Sequence, residues 1–205
     1  MNFPAILNIL GHVIKYELLL LLIPFAVALF YGQGDASAFL YTILIMLPIS
    51  IILTRVKGKK KEIYAKEGFL TVGLAWIVIS FFGALPFVFN GAIPSFIDAF
   101  FETSSGFTTT GASILTEIQS LPKGILFWRS FTHWVGGMGF LIFILALMPS
   151  FGGNTIHLLK AESPGPTPGK IVPKIKQTAK ILYAIYFVLT VIETIFLKFA
   201  GMSWY

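Results

Sequence analysis

The chain has 205 residues, 56% of them hydrophobic and only 12% charged, and its mean hydropathy is +0.84. A water-soluble domain usually carries about 25% charged residues, so the composition excludes an ordinary soluble fold and points to an all-α integral membrane protein. The formal charge of +6 sits in loops between apolar runs, which argues against nucleic acid as a partner, and the absence of cysteine removes disulfides and thiolate metal sites.

Residues 6–14 and 18–31 are apolar and together long enough to cross a bilayer, although Lys15 and Glu17 interrupt them. The expectation is a tilted spanning helix that begins near residues 3–16. A cleaved signal peptide would need a basic start, and no Lys or Arg precedes Lys15, so the segment is expected to be retained. After a short turn, Gly32-Gln33-Gly34-Asp35, residues 38–54 form a second apolar run, near the shortest length that crosses a hydrocarbon core about 30 Å thick. It ends at Arg55, where Arg55-Val56-Lys57-Gly58-Lys59-Lys60-Lys61 and then Lys66 read as a cytoplasmic basic loop. Residues 69–89 predict a third crossing, in which Gly73, Gly83 and Pro86 are tolerated as they are in other membrane helices.

A short helix is predicted next. Pro94 suits a first helical position, and Ser95 and Asp98 put oxygen and negative charge near the helix start, where they are favourable. About ten helical residues rise roughly 15 Å, half the hydrocarbon thickness, so the helix fits a re-entrant pore segment. It runs into Ser104-Ser105-Gly106-Phe107-Thr108-Thr109-Thr110-Gly111-Ala112-Ser113, which has hydroxyls and backbone carbonyls but no charge and no strong nucleophile. That is chemistry for replacing the hydration shell of a cation. Gly106 and Gly111 free the backbone from helix and strand geometry, and the negative end of the short helix macrodipole faces the same place. Two other readings compete. A phosphate-binding P-loop fails because Ala112 stands where its lysine is needed, and an ordinary Gly/Ser/Thr loop is the blander alternative.

Residues 125–149 predict a fourth crossing, with Trp128 and Trp134 suited to an interfacial belt and Gly136, Gly137 and Gly139 offering a close-packing surface. Arg129 is the odd member, because a charge at the bilayer centre costs about 2.5–3.5 kcal/mol even on the lenient insertion scale. Three readings stand open: it snorkels to the interface, it pairs with Glu102, or it pairs with Asp98 one turn earlier and leaves Glu102 at the pore mouth. His133, one turn below Arg129, reads as a packing residue rather than a metal ligand. Residues 151–180 read as a polar connector in which Pro164-Gly165-Pro166 forbids a long helix, and residues 181–199 form the fifth apolar run. A cytoplasmic N-terminus puts twelve of the fifteen Lys and Arg residues inside, leaving only Lys123, Arg129 and Lys198 outside or at the outer interface.

Several strings together resemble the first pore repeat of the Trk/Ktr/HKT potassium transporter superfamily, in its TrkH-like branch. They are Phe100-Phe101-Glu102-Thr103-Ser104-Ser105-Gly106-Phe107-Thr108-Thr109-Thr110-Gly111-Ala112, Ser120-Leu121-Pro122-Lys123, Phe127-Trp128-Arg129-Ser130 and His133-Trp134-Val135-Gly136-Gly137-Met138-Gly139. Ala161-Glu162-Ser163-Pro164-Gly165-Pro166 and Pro173-Lys174-Ile175-Lys176-Gln177-Thr178-Ala179 add to the likeness.

The resemblance implies four repeats of helix, pore loop and helix around one pore. This sequence would supply a two-helix extension (residues 1–66), the first repeat (67–150, with its pore loop at 93–113), a cytoplasmic connector (151–180) and the first helix of an incomplete second repeat (181–205). The expected architecture is about five transmembrane helices plus one short re-entrant pore helix and filter loop. The resemblance also implies potassium as transported substrate, no cofactor, and coordination mainly by backbone carbonyls at Thr108, Thr109, Thr110 and Gly111. Glu102, Gly106, Ala112, Arg129 and Gly137 would support that filter. Ala112 stands where potassium channels carry an aromatic brace, which implies weaker sorting of potassium from sodium.

Implied partners are the lipid bilayer, the remaining pore repeats or identical subunits, and a cytoplasmic nucleotide-binding regulatory subunit of TrkA type. The implied location is the cytoplasmic (inner) membrane, multi-pass, with the N-terminus inside. A membrane-embedded enzyme would have to use His133 with Glu102 or Asp98, and no His/Glu pair at zinc spacing or Gly-x-Ser-x-Gly elbow supports it. A truncated, non-conducting scaffold or accessory fragment is the alternative function.

Overall fold

The computed structural model describes residues 2–56, 65–139 and 172–202, with the side chains of Ala65 and of residues 172–180 left aside. All regular structure among the described residues is helical: α1 (Phe3–Tyr31), α2 (Ala36–Arg55), α3 (Ala65–Asn90), α4 (Phe96–Phe107), α5 (Lys123–Gly137) and α6 (Val172–Phe199). Among the described residues, four helices are long and apolar enough to cross a membrane, namely Phe3–Tyr31, Ala36–Arg55, Lys66–Asn90 and Ile181–Phe199. The expected fourth crossing is seen only as α5, whose 15 residues rise about 22 Å; residues 140–150 lie outside the described residues, as do 57–64 of the basic loop and 151–171 of the connector.

The interruption expected at Lys15 and Glu17 does not break α1, which runs through both as one 29-residue helix and turns Glu17 into the bundle beside Gly83. Apolar residues on three sides of α1, from Ile6 to Ala28, are buried against α2, α3 and α5, so this helix of the extension is the centre of the described core. Asn2 starts α1, and Gly32, in the left-handed region at φ 61°, ends it. Asn8 Nδ2 then ties the far end of α2 to α1 by donating to the carbonyls of Thr54 (2.7 Å) and Val56 (3.1 Å), which have no partner within their own helix.

Two boundaries differ from the sequence expectation. The polar connector expected to run to residue 180 gives way to helix at Val172, because the obstacle at Pro164-Gly165-Pro166 lies well before that point and Pro173 falls in the first turn, where its missing N–H costs nothing. The short helix α4 is also longer than expected: Ser105, Gly106 and Phe107 belong to it. Glycine inside a helix costs roughly 1 kcal/mol, but Gly106 is where α4 meets Thr132 of α5, and a side chain there would collide with the threonine hydroxyl. Packing outweighs propensity at that residue.

Candidate functional site: a turn held at the end of a half-length helix

Helix α4 starts with Ser95, whose Oγ accepts from the Asp98 N–H at 3.4 Å, and ends in a motif that reverses the chain. The Thr110 N–H donates to Ser105 O and the Thr109 N–H to Gly106 O, both at 3.0 Å, which is the Schellman pattern of bonds. The donor of the second bond in such a motif is left-handed and is usually glycine. Here it is Thr109, at φ 56° and the single non-glycine residue with positive φ among the described residues. A β-branched residue in that region costs about 1–2 kcal/mol, so the conformation is enforced by its surroundings. Gly111 follows at φ 76°, with open space where a side chain would project.

The bonds of this turn go to the last carbonyls of α4 and to hydroxyls. Thr108 Oγ1 donates to Ser104 O at 2.7 Å and lies 2.8 Å from Thr110 Oγ1, and Ser105 Oγ donates to Ala112 O at 2.6 Å. Among the described residues no hydrogen bond goes to the carbonyl oxygens of Thr108, Thr109, Thr110 or Gly111, and all four residues are exposed. The result is a short exposed stretch of backbone acceptors at the negative end of a helix. Such a stretch can attract and partly dehydrate a cation; it has no nucleophile or acid poised for covalent chemistry.

One buried carboxylate holds the far side of the turn. Glu102, 2% exposed, accepts from Ser113 Oγ (3.0 Å to each oxygen), from the Ile114 N–H (2.9 Å) and from Arg129 Nε on α5 (2.7 Å). Of the readings left open for Arg129, the geometry selects Glu102: Asp98 does not take the guanidinium, and the side chain turns into the bundle instead of snorkelling. A buried carboxylate with three donors, one of them its counter-charge, is satisfied, whereas loss of one partner of the pair would leave the other charge stranded. His133 lies beside this pair, its Nδ1 3.0 Å from the Arg129 carbonyl, which fits packing and not ligation.

Helix α5 presses against α4 along small residues. A side chain at Gly136 would strike the Phe107 carbonyl, so these helices touch backbone to backbone there. Trp128, expected in an interfacial belt, is wholly buried instead and donates Nε1–H to Gly83 O on α3 at 2.9 Å. Its ring meets Phe107 edge to face at 6.1 Å. Trp134 is half-buried and donates to Thr190 Oγ1 of α6 at 3.0 Å, while Gly137 packs against the Tyr186 hydroxyl. Gly137 therefore faces α6, next to Gly136, which meets the last residue of α4.

The family model for TrkH, a cation transport protein, matches residues 37–202. The Trk system potassium uptake protein TrkH of Escherichia coli K12 is 43% identical over 99% of this chain and 43% of its own length. The corresponding protein of Halomonas elongata is 36% identical, over 100% of this chain and 43% of its own. The crystal structure of the potassium transporter TrkH from Vibrio parahaemolyticus superposes with a TM-score of 0.81 at 33% identity, covering 99% of this chain and 41% of that one. The chain belongs to the TrkH family.

Within that family this chain spans less than half the length of the curated relatives it matches. In its described part α1, α2, α3 and α5 pack together, and the short helix α4 lies against α3 and α5. The structure brings Arg129 to Glu102, one of the three arrangements that the sequence left open, and shows bracing serines that sequence reasoning missed. Ser105 and Ser113, at either end of the turn, bond Ala112 O and the Glu102 carboxylate. Their signal was present: two serines bracket a Thr/Gly run, and a small hydroxyl within a tight turn commonly bonds a nearby polar group.

Proposed function

We propose that the protein to which this chain belongs takes up potassium ions across the cytoplasmic membrane through a channel-like pore, and that the carbonyls of Thr108, Thr109, Thr110 and Gly111 form this repeat's share of the filter. The observation that carries the reading is the exposed run of four carbonyls without hydrogen-bond partners at the end of α4, held in two successive left-handed turns by Thr109 and Gly111. Family membership and the potassium-transporting relatives support the choice of ion. Glu102, Arg129, Gly106 and Ala112 support the filter from behind, and Gly137 joins this repeat to the next helix. The remaining acceptors come from further repeats, and a cytoplasmic nucleotide-binding subunit of TrkA type regulates the pore, in keeping with relatives named for a Trk system. The N-terminus is cytoplasmic, a placement that the Lys and Arg distribution supports.

The test is rubidium uptake by the full-length protein in a host lacking its own potassium uptake, with and without Gly111→Ser. A serine at φ 76° must strain or rotate the Gly111 carbonyl, so sodium is expected to compete better against rubidium in the variant. Unchanged competition at equal protein amount discards the filter assignment. For the orientation, Lys61→Cys and Gln119→Cys in this cysteine-free chain are labelled with an impermeant thiol reagent in intact cells; only Gln119→Cys is expected to react, and labelling at position 61 alone reverses the topology.

A further inference from the structure

We propose that the Gly32–Asp35 turn of the two-helix extension positions the 108–115 segment, acting through the start of α5 with Gln33 and Asp35 as positioning residues. The proposal deepens the functional reading above and rests on it only where the segment is called a filter. The extension is then a working part of the ion path's wall and more than a membrane anchor.

The start of α5 has no cap of its own. Pro122 stands at the N-cap without a side-chain hydrogen bond, so the first N–H groups of the helix need outside partners. They find them ninety residues away: Gln33 Oε1 accepts from the Lys123 N–H at 2.7 Å, and Asp35 Oδ2 accepts from the Ile125 N–H at 3.3 Å.

Asp35 makes the arrangement specific. It occupies the N-cap of α2, where an aspartate normally bonds the first turn of its own helix, yet it makes no such bond. Its side chain turns to α5 instead, fully buried, with Oδ1 unpartnered among the described residues. Burying a carboxylate on so few bonds is unfavourable, and what offsets it is position: the positive ends of two helices, α2 and α5, meet there. The close approach depends on Gly124, where any side chain would run into Asp35 Oδ2 and lie 2.6 Å from the Ala28 Cβ.

What lies next along α5 makes the clamp consequential. Trp128 and Arg129 follow Ile125 within one turn, the first bonded to Gly83 on α3 and the second to Glu102 on α4. Glu102 in turn holds Ser113 Oγ and the Ile114 N–H. Fraying or tilting of the first turn of α5 therefore displaces Arg129, and with it the carboxylate that fixes the exit of the turn.

The experiment is amide hydrogen exchange, read by mass spectrometry on the full-length protein, for the wild type and the Gln33→Ala, Asp35→Ala and Asp35→Asn variants. Exchange at residues 123–126 should rise about fivefold in both alanine variants, the size expected for loss of a helix cap. Exchange at Ile114 and Leu115 should rise with it, and Asp35→Asn, which keeps an acceptor oxygen, should restore most of both. Rubidium-over-sodium discrimination in uptake should fall in the same two variants. Faster exchange at 123–126 with Ile114, Leu115 and discrimination unchanged would reduce the turn to a local cap and overturn the proposal, as would no change at 123–126. Should Asp35→Ala not accumulate, Gln33→Ala, at an exposed side chain, decides alone. A wild type that fails to discriminate the ions while Ile114 still responds upholds the positioning and refutes the filter reading.

Discussion

Two polar, glycine-containing turns of this chain have opposite uses. Gly32-Gln33-Gly34-Asp35 and Thr108-Thr109-Thr110-Gly111 both follow a helix, both contain glycine in the left-handed region, and both are rich in side-chain oxygen. The first directs its side-chain acceptors to the backbone of α5. The second pairs the hydroxyls of Thr108 and Thr110 with each other and with the end of α4, and leaves four backbone carbonyls without partners. The first puts glycine at both left-handed positions, whereas the second forces a threonine into one of them. A strained β-branched residue beside unpaired carbonyls separates a candidate site from a connector, and composition alone does not.

The largest expected effect tests whether the second turn depends on its buried ion pair. Glu102→Gln and Arg129→Gln should each destabilise the full-length protein by about 3–5 kcal/mol, because each strands a buried charge. The double variant should lose clearly less than the sum, as measured by thermal unfolding in detergent at matched protein amount. Strict additivity would mean that the 2.7 Å contact couples nothing.

A smaller effect probes the first turn. Gly32→Ala, at φ 61° with open space around it, should cost about 1 kcal/mol of stability and lower rubidium-over-sodium discrimination less than Gln33→Ala or Asp35→Ala does, since it strains the end of α1 but removes neither acceptor of α5. A change in discrimination without loss of stability would erase the contrast between the turns.

The smallest effect has the opposite sign. Thr109→Gly relieves a left-handed β-branched residue, so the protein should gain about 0.5–1 kcal/mol, the gain being limited by the greater freedom of glycine in the unfolded chain. Discrimination between rubidium and sodium should nevertheless fall, because the glycine no longer holds its neighbours' carbonyls in one direction. A variant that is both more stable and fully selective would show that the strain at Thr109 has no part in ion recognition.

Much of the fold was legible in the sequence, for a physical reason. A helix in lipid must satisfy its own backbone, so length and hydropathy suffice to locate four of the five expected spans, and Pro94, Ser95 and Asp98 announce the start of α4 through local capping chemistry. The φ requirement at Gly111 was legible likewise, because glycine at the end of a polar run bears on its own backbone and on no distant residue.

The tertiary structure alone decided the rest. Whether Arg129 snorkels, takes Asp98 or takes Glu102 depends on how α5 lies against α4, and the glycine contacts at Gly106 and Gly136 set that approach. The same packing carries α4 on through Phe107 and buries Trp128 under α3 rather than at an interface. It also turns Asp35 from the helix it begins to another ninety residues on. Sequence periodicity reports how one element divides its own faces between lipid and protein; which polar group meets which across the bundle is settled by close packing among helices, where the cost of an unpaired charge selects one partner.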